Sequence, residues 1–217
     1  KLRRLFGKRD QDPLFQDGPA RLADGCLDIV YKHSAEIGEL GDNVRTLRQA
    51  MRADRLLHAA LREPDNEALV LGHTRWASVG IISEPNAHPL NSEETEGDAG
   101  PFVLGVLNGD VDNHHDLIAR NGLRLHDAIT TDAKVIPTLI SRQLQNGLAF
   151  DEAYRRTVAS FEGSVAIGAV TTREPDRLAL SLRGSGQALY VGLGEDTFVV
   201  ASEPYGVIEE CDRYLRM

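Results

Sequence analysis

Along the chain the rhythm of apolar and polar positions changes three times. The first stretch has no rhythm: "DQDPLFQDGP" sets two prolines among polar residues, and positions up to about Ala23 predict a loop or linker. In residues 27–61, Leu40, Val44, Leu47 and Met51 recur at steps of four, three and four, the spacing of one helical face. Arg45, Arg48 and Arg52 flank that face, and glycine and asparagine in residues 38–43 predict a break between two helices. After Pro64 the pattern becomes mixed. "ALVLGHTR" predicts a short strand delivering a polar loop, and "FVLGVLNG" a second apolar run that stops at Asn108-Gly109. Three helices follow: "HHDLIARNG", closed by Asn121-Gly122; residues 131–145, opened by an Asp/Thr cap and closed by Asn146-Gly147; and "FDEAYRRTVASF". The last third is all strand, with "SVAIGAVT", "RLALSLRG", "ALYVGLG" and "TFVVASE" joined by turns short enough for an antiparallel meander. Helices in the middle and consecutive strands at the end predict α+β layers rather than a parallel βαβ sheet.

Composition narrows the functional classes. With 41% hydrophobic and 26% charged residues the 217-residue chain has enough apolar surface to fold, as one domain with an insertion. A formal charge of −9 repels polyanions, so nucleic acid is not an expected partner, and the basic start "KLRRLFGKR" does not change that balance. The two cysteines, Cys26 and Cys211, form no CxxC pair and have no metal-type spacing, which suits a reducing cytoplasm. No apolar run approaches ~18 residues and no signal peptide is evident, so no membrane partner is expected either. The chain begins without methionine, which suggests residues upstream that were removed or not included.

Candidate chemistry gathers in "HTRWASVG", "SEPNAHP", "LNGDVDNH" and "TTDAK". Arg75 offers a planar guanidinium shaped to hold a carboxylate in two parallel bonds, or it forms an ordinary structural ion pair. Asn108 with a side-chain amide and Gly109 with an unobstructed backbone N–H suit an oxyanion site; alone, Asn-Gly is also a common hairpin turn. Trp76 is either a site residue or core, and Asp132 can serve as a helix N-cap. His73 and His88 are expected to hold loops in place. His114 and His115 are adjacent, so they do not face one another on a helix, and a solvated helix start fits them better than a metal site.

Taken together, the order and spacing of these four loops resemble the glutaminase domain of class II glutamine amidotransferases, over about Leu69 to Glu203. The branch most like them is the isomerising glutamine–fructose-6-phosphate aminotransferases; "HTRWAS" and "NAHP" fit it better than amidophosphoribosyltransferase-like or asparagine-synthetase-like enzymes. The resemblance implies an N-terminal-nucleophile hydrolase fold, an αββα sandwich whose N-terminal part is incomplete here. It implies Arg75 on the α-carboxylate of L-glutamine and Asp132 on the α-ammonium. Asn108 and Gly109 are then the oxyanion pair, and Trp76, Ala77 and Ser78 complete the substrate loop, with Trp76 where the family gates ammonia. No cofactor and no metal is implied. The implied partners are a sugar-isomerase-type synthase domain, a homo-oligomer, and an upstream segment carrying the cysteine nucleophile, whose free α-amino group acts as base. Cys26 and Cys211 have peptide-bonded nitrogens and cannot fill that role. By the same resemblance "KLRRLFGK" is a family strand. The expected division is an N-terminal strand or linker over 1–24, a helical insertion over 25–64 and the C-terminal portion of a glutaminase domain over 65–217. The chain departs from the family at Ser78, at Val79 where a histidine is expected, and at Lys134 where an acid is expected. The rival reading is a catalytically inactive regulatory or glutamine-binding module.

Overall fold

The computed structural model describes residues 2–7, 20–35, 39, 41–64, 66–74, 79–96 and 100–217. Its first element corrects the expected strand: α1 (Leu2–Phe6) is a short helix that lies against a later helix, α3 (Arg55–Ala60). A second correction follows at once. Residues placed in linker and helix by pattern form a hairpin, β1 (Ala20–Ala23) with β2 (Cys26–Ile29), paired Ala20↔Ile29 through Ala23↔Cys26. Its two-residue turn, Asp24-Gly25, has φ 51° and 83°, the left-handed pair that a tight hairpin requires.

The two expected helices exist as α2 (Asp42–Ala53) and α3, but they divide at Asp54. Asp54 Oδ1 accepts from the backbone N–H groups of Leu56, at 2.8 Å, and Leu57, at 3.2 Å, and so caps the second helix. The apolar stripe of α2 is real and remains largely uncovered: none of its residues is buried, whereas α3 buries Leu56. Beyond Pro64 the run "ALVLGH" does not form the expected strand. Residues 66–74 have no ladder partner among the described residues, and Val70 is 81% exposed.

The centre is a four-stranded antiparallel sheet, in the order β3 (Leu90–Asn91), β4 (Val103–Val111), β5 (Gly163–Thr171) and β6 (Ala179–Arg183). Between β4 and β5 come α4 (His114–Asn121), a 3-10 turn (Asp132–Lys134), α5 (Val135–Gln145) and α6 (Phe150–Ala159). Glycine closes two of these helices as the pattern predicts, with Gly122 at φ 56° and Gly147 at φ 89°. The helices bury one face of the sheet. Val103, Leu107 and Val111 of β4 and Val165, Ile167 and Ala169 of β5 meet Ile136, Ile140, Leu144, Phe150, Tyr154 and Val158. This layer is the core that fixes the site's position.

The expected single meander is divided. β5 and β6 belong to the central sheet, whereas β7 (Tyr190–Leu193), β8 (Phe198–Ala201) and β9 (Arg213–Arg216) form a second sheet in the order β8-β7-β9. Gly184 and Gly186, at φ 79° and 95°, carry the chain from one sheet to the other instead of folding it back on β6. The short helix α7 (Tyr205–Ile208) covers one face of the second sheet, where Gly192 lies against Val207 and Cys211. Among the described residues no helix is long and apolar enough to cross a membrane.

The layering makes a simple prediction about stability. Ile140 is 0% exposed in the helix–sheet core and Val44 is 37% exposed on α2. Ile140→Ala is expected to lower unfolding free energy by about 2–5 kcal/mol. Val44→Ala should change it by about 0.5 kcal/mol or less. Denaturant unfolding of both variants measures the difference, and equal effects would contradict the assignment of α5 to the core.

Candidate functional site

Strand β4 does not stop at Asn108-Gly109. The ladder runs through both, with Asn108 opposite Ala166 and Gly109 opposite Val165, and ends at Val111. The hairpin reading of Asn-Gly is therefore excluded. Val103, Leu107 and Val111 turn into the helical core, so strand alternation places Leu104, Val106, Asn108 and Asp110 on the opposite face. Gly109 has φ 108°, and a Cβ at this position would overlap the Ser164 carbonyl oxygen of β5. Only glycine keeps the two strands this close.

Two histidines hold the residue just before Asn108. β3 is too short to reach Leu107, since its pairing with β4 ends at Leu90↔Gly105. Side chains take its place: His73 Nε2–H donates to Leu107 O at 2.8 Å, and Leu107 N–H donates to His88 Nδ1 at 3.3 Å. The carbonyl and the N–H settle which ring nitrogen donates and which accepts. The rings themselves lie 4.3 Å apart. Both histidines thus hold backbone in place, next to the candidate oxyanion residues.

Asn86, which the sequence pattern did not single out, does comparable work one layer over. It is 0% exposed. Its amide nitrogen donates to Ile81 O (3.2 Å), Ser83 Oγ (3.0 Å) and Thr130 Oγ1 (3.1 Å), and its oxygen accepts from the N–H groups of Thr130 (2.7 Å) and Thr131 (3.1 Å). Gly80, at φ 82°, packs so closely on Thr130 and Thr131 that a Cβ would sit 3.0 Å from their atoms. Residues 80–86 are thereby docked on the strand of chain that enters Asp132. Arg75, Trp76, Ala77 and Ser78 lie outside the described residues. Their neighbours on both sides are anchored, His73 beside Asn108 and Gly80 beside Asp132.

Asp132 is 4% exposed, and its Oδ2 accepts the Val111 N–H at 2.7 Å. Thr131 Oγ1 donates to its other oxygen at 3.3 Å. Asp132 opens the 3-10 turn, and its carboxylate reaches across to the end of β4 instead of standing at the N-cap position, which Thr131 occupies. Burial pushes its pKa up, and the neighbouring Asp110 adds to that; the Val111 N–H and His114 pull the other way. His114 Nδ1–H donates to Val111 O at 2.9 Å, so the last residue of β4 is held at both its N–H and its C=O.

Lys134 ends the same turn and is 0% exposed. Its ammonium donates to Asn91 O (2.6 Å), Asn91 Oδ1 (3.0 Å) and Glu93 O (2.7 Å). Burial lowers its pKa to about 7, with Lys32 nearby adding to the fall and Glu93 and Glu94 opposing it. Lys32 is itself lowered to about 8, again chiefly by burial.

Neither cysteine belongs to this arrangement. Cys26 Sγ donates to Thr172 O at 3.8 Å, beyond the end of β5 that pairs with Val103, about 20 Å along the strand from Ala166 and Asn108. Burial, then Asp28, raises its pKa, which disfavours a thiolate. Cys211 is buried beside Gly192 in the second sheet. Among the described residues no group of three His, Cys, Asp or Glu side chains is placed to hold a metal ion. His114 and His115, expected not to face one another, do meet at the start of α4, with ring centroids 4.0 Å apart and planes tilted by 37°.

No family model matches the chain. Curated relatives do. A glutamine–fructose-6-phosphate aminotransferase (isomerizing) of Bacillus thuringiensis is 33% identical over 164 residues, 73% of this chain and 26% of the relative. The namesake of Neisseria meningitidis is 31% identical over 192 residues, 86% of this chain and 30% of its own length. A match of that extent does not fit within residues 65–217, so its span reaches back into the α2–α3 region. Among solved structures, the glutamine phosphoribosylpyrophosphate amidotransferase of B. subtilis superposes with a TM-score of 0.51 at 21% identity, over 66% of this chain and 29% of that one. That likeness gives the fold, α+β of the N-terminal-nucleophile amidotransferase type. The chain spans between 26% and 30% of the length of the curated relatives it matches. With the sequence matches and this fold together, the chain belongs to the class II glutamine amidotransferases, the family built on an N-terminal-nucleophile glutaminase domain.

Proposed function

We propose that this chain is the glutaminase part of an amidotransferase that releases ammonia from L-glutamine. One observation carries the reading. Asn108, Gly109 and the partner of Asp132 all lie within four consecutive residues of one strand, 108–111, with His73 and His88 steadying the residue before them. Asp132 supplies a carboxylate for the α-ammonium, and Arg75 a guanidinium for the α-carboxylate, so that opposite charges select a zwitterion. Trp76, Ala77 and Ser78 form the rest of the substrate loop. The nucleophile is a cysteine outside this chain, activated by its own α-amino group. Its thiolate attacks the side-chain carbonyl carbon of glutamine, and the oxygen gains negative charge between the Asn108 amide and the Gly109 N–H. Collapse breaks the C–N bond, ammonia leaves with a proton from the α-ammonium of that cysteine, and water then hydrolyses the thioester to glutamate.

The names of the curated relatives support a sugar phosphate, fructose 6-phosphate, as the acceptor; in this reading the product is glucosamine 6-phosphate, made on a separate synthase domain. This chain alone is expected to release no glutamate from glutamine, and the full-length protein to release it. Activity from this chain alone would contradict the assignment of the nucleophile. Glutamine binding without turnover by the full-length protein, seen by calorimetry, would favour the inactive regulatory module.

Two variants test the site. In the full-length protein Asn108→Ala should lower kcat by about 10²- to 10³-fold with a much smaller change in KM; an unchanged kcat removes Asn108 from the oxyanion site. Because burial raises the pKa of Asp132 and only its ionised form holds an ammonium, glutamine affinity should fall as pH falls through that raised value. KM measured between about pH 4 and about pH 6, below the range in which Lys134 loses its proton, should rise toward the acid side in the wild type and flatten in Asp132→Asn. A wild-type KM that is level across this range would count against Asp132.

A further inference from the structure

We propose that Lys134 is a positioning residue for amino-acid binding, one that orients Asp132 by tying its turn to the edge of the central sheet. The inference rests on the glutaminase reading of Asp132 and concerns a residue that does not touch the substrate. Its basis is a bracket of three residues. At one end of the turn the Asp132 carboxylate takes the N–H of Val111, the last residue of β4. At the other end the Lys134 ammonium takes Asn91 O, Asn91 Oδ1 and Glu93 O. Asn91 pairs with Leu104 on the same strand β4, so the bracket straddles the stretch that contains Asn108 and Gly109.

Two of the three acceptors are backbone carbonyls at and just past the end of the two-residue edge strand β3, and the third is the Asn91 side chain. Past Asn91 the chain leaves the ladder; Ser92 Oγ instead accepts the Val103 N–H at 3.1 Å and donates to Pro101 O at 3.2 Å. Among the described residues no strand takes the carbonyls of Asn91 and Glu93, and Lys134 does so. A methionine or leucine could fill the same buried volume, but apolar contact is non-directional and would fix the orientation of the turn less closely than three hydrogen bonds do. The place of the ammonium is unfavourable on other grounds: it is fully buried, and Lys32 lies within electrostatic reach. A buried charge costs several kcal/mol unless its donors are matched. Here all three protons of the ammonium have acceptors, and what the arrangement adds beyond packing is direction. The main chain continues the tie into α5, where Thr138 Oγ1 donates to Lys134 O at 2.9 Å.

Steady-state glutaminase kinetics of the full-length protein test the inference. Lys134→Met should raise KM for glutamine about tenfold while kcat at saturation changes less than about threefold, because the grip on the ammonium is displaced and the oxyanion pair is not. Lys134→Arg, which keeps a charged donor, should recover part of that loss. A residue that only supports the fold would lower the amount of active enzyme and leave KM alone. KM within about twofold of wild type in a folded Lys134→Met protein therefore overturns the proposal. If Lys134→Met fails to fold, Asn91→Ala decides: removal of one acceptor of three should raise KM about threefold, and a KM unchanged within error overturns the proposal. Asp132→Ala serves as the reference. Should it leave KM unchanged, the reading of Asp132 fails and this inference with it; should it raise KM while Lys134→Met does not, only the inference about Lys134 fails.

Discussion

A single hydrogen bond, from the Val111 N–H to the Asp132 carboxylate at 2.7 Å, joins the two halves of the site. Val111 closes the strand that carries Asn108 and Gly109, and Asp132 opens the turn that leads into α5. Val111 and Ala133 share the same buried core, and this bond adds a directional link between the strand end and the turn. Through it the strand that carries the candidate oxyanion residues is linked directly, backbone N–H to carboxylate, to the candidate ammonium ligand. The bond also answers an electrostatic problem. Burial works against the charged form of Asp132, and the donated N–H is the largest influence restoring it.

Side chains finish what the strands leave undone. β4 is nine residues long and β3 only two, so among the described residues most of one edge of β4 has no paired strand. Buried backbone groups must find partners, and here they find histidine rings at Leu107, a serine hydroxyl at Val103 and a lysine ammonium at Asn91 and Glu93. Asn86 performs the same service between residues 81–83 and 128–131. The site is thus surrounded by side-chain-to-backbone bonds, which hold loops at defined positions without requiring regular structure in them.

α6 was legible in the sequence from apolar residues at helical spacing, and α4 and α5 from the glycine or asparagine just past their ends. β4 and β5 were legible as apolar runs, and the residue types in the four loops pointed to the family. Other features depended on partners far along the chain. Lys134 reads as a departure from a motif until its acceptors, 43 and 41 residues away, are seen around it, and Asn86 is one polar residue in a loop until its partners 44 and 45 residues on are in place. The N-terminal hairpin escaped because strands of four residues hold too little alternation to compete with the helical spacing that follows them. The break at Asp54 escaped because a glycine is a local signal, whereas an aspartate caps a helix only once the next turn has formed. Asn108-Gly109 looked like a stop since the ladder that carries the pair onward belongs to β5, more than fifty residues later.

The pair of histidines at Leu107 has a consequence beyond holding the strand in place. An exposed strand edge, with its free N–H and C=O groups, is a template on which a foreign strand can add and start aggregation. At Leu107 both groups on that edge are already engaged by imidazoles, and at Asn91 and Glu93 the carbonyls are engaged by an ammonium. The side chains that hold the candidate site in register also engage these edge groups, so a strand arriving there would find the N–H and C=O of Leu107 and the carbonyls of Asn91 and Glu93 already paired.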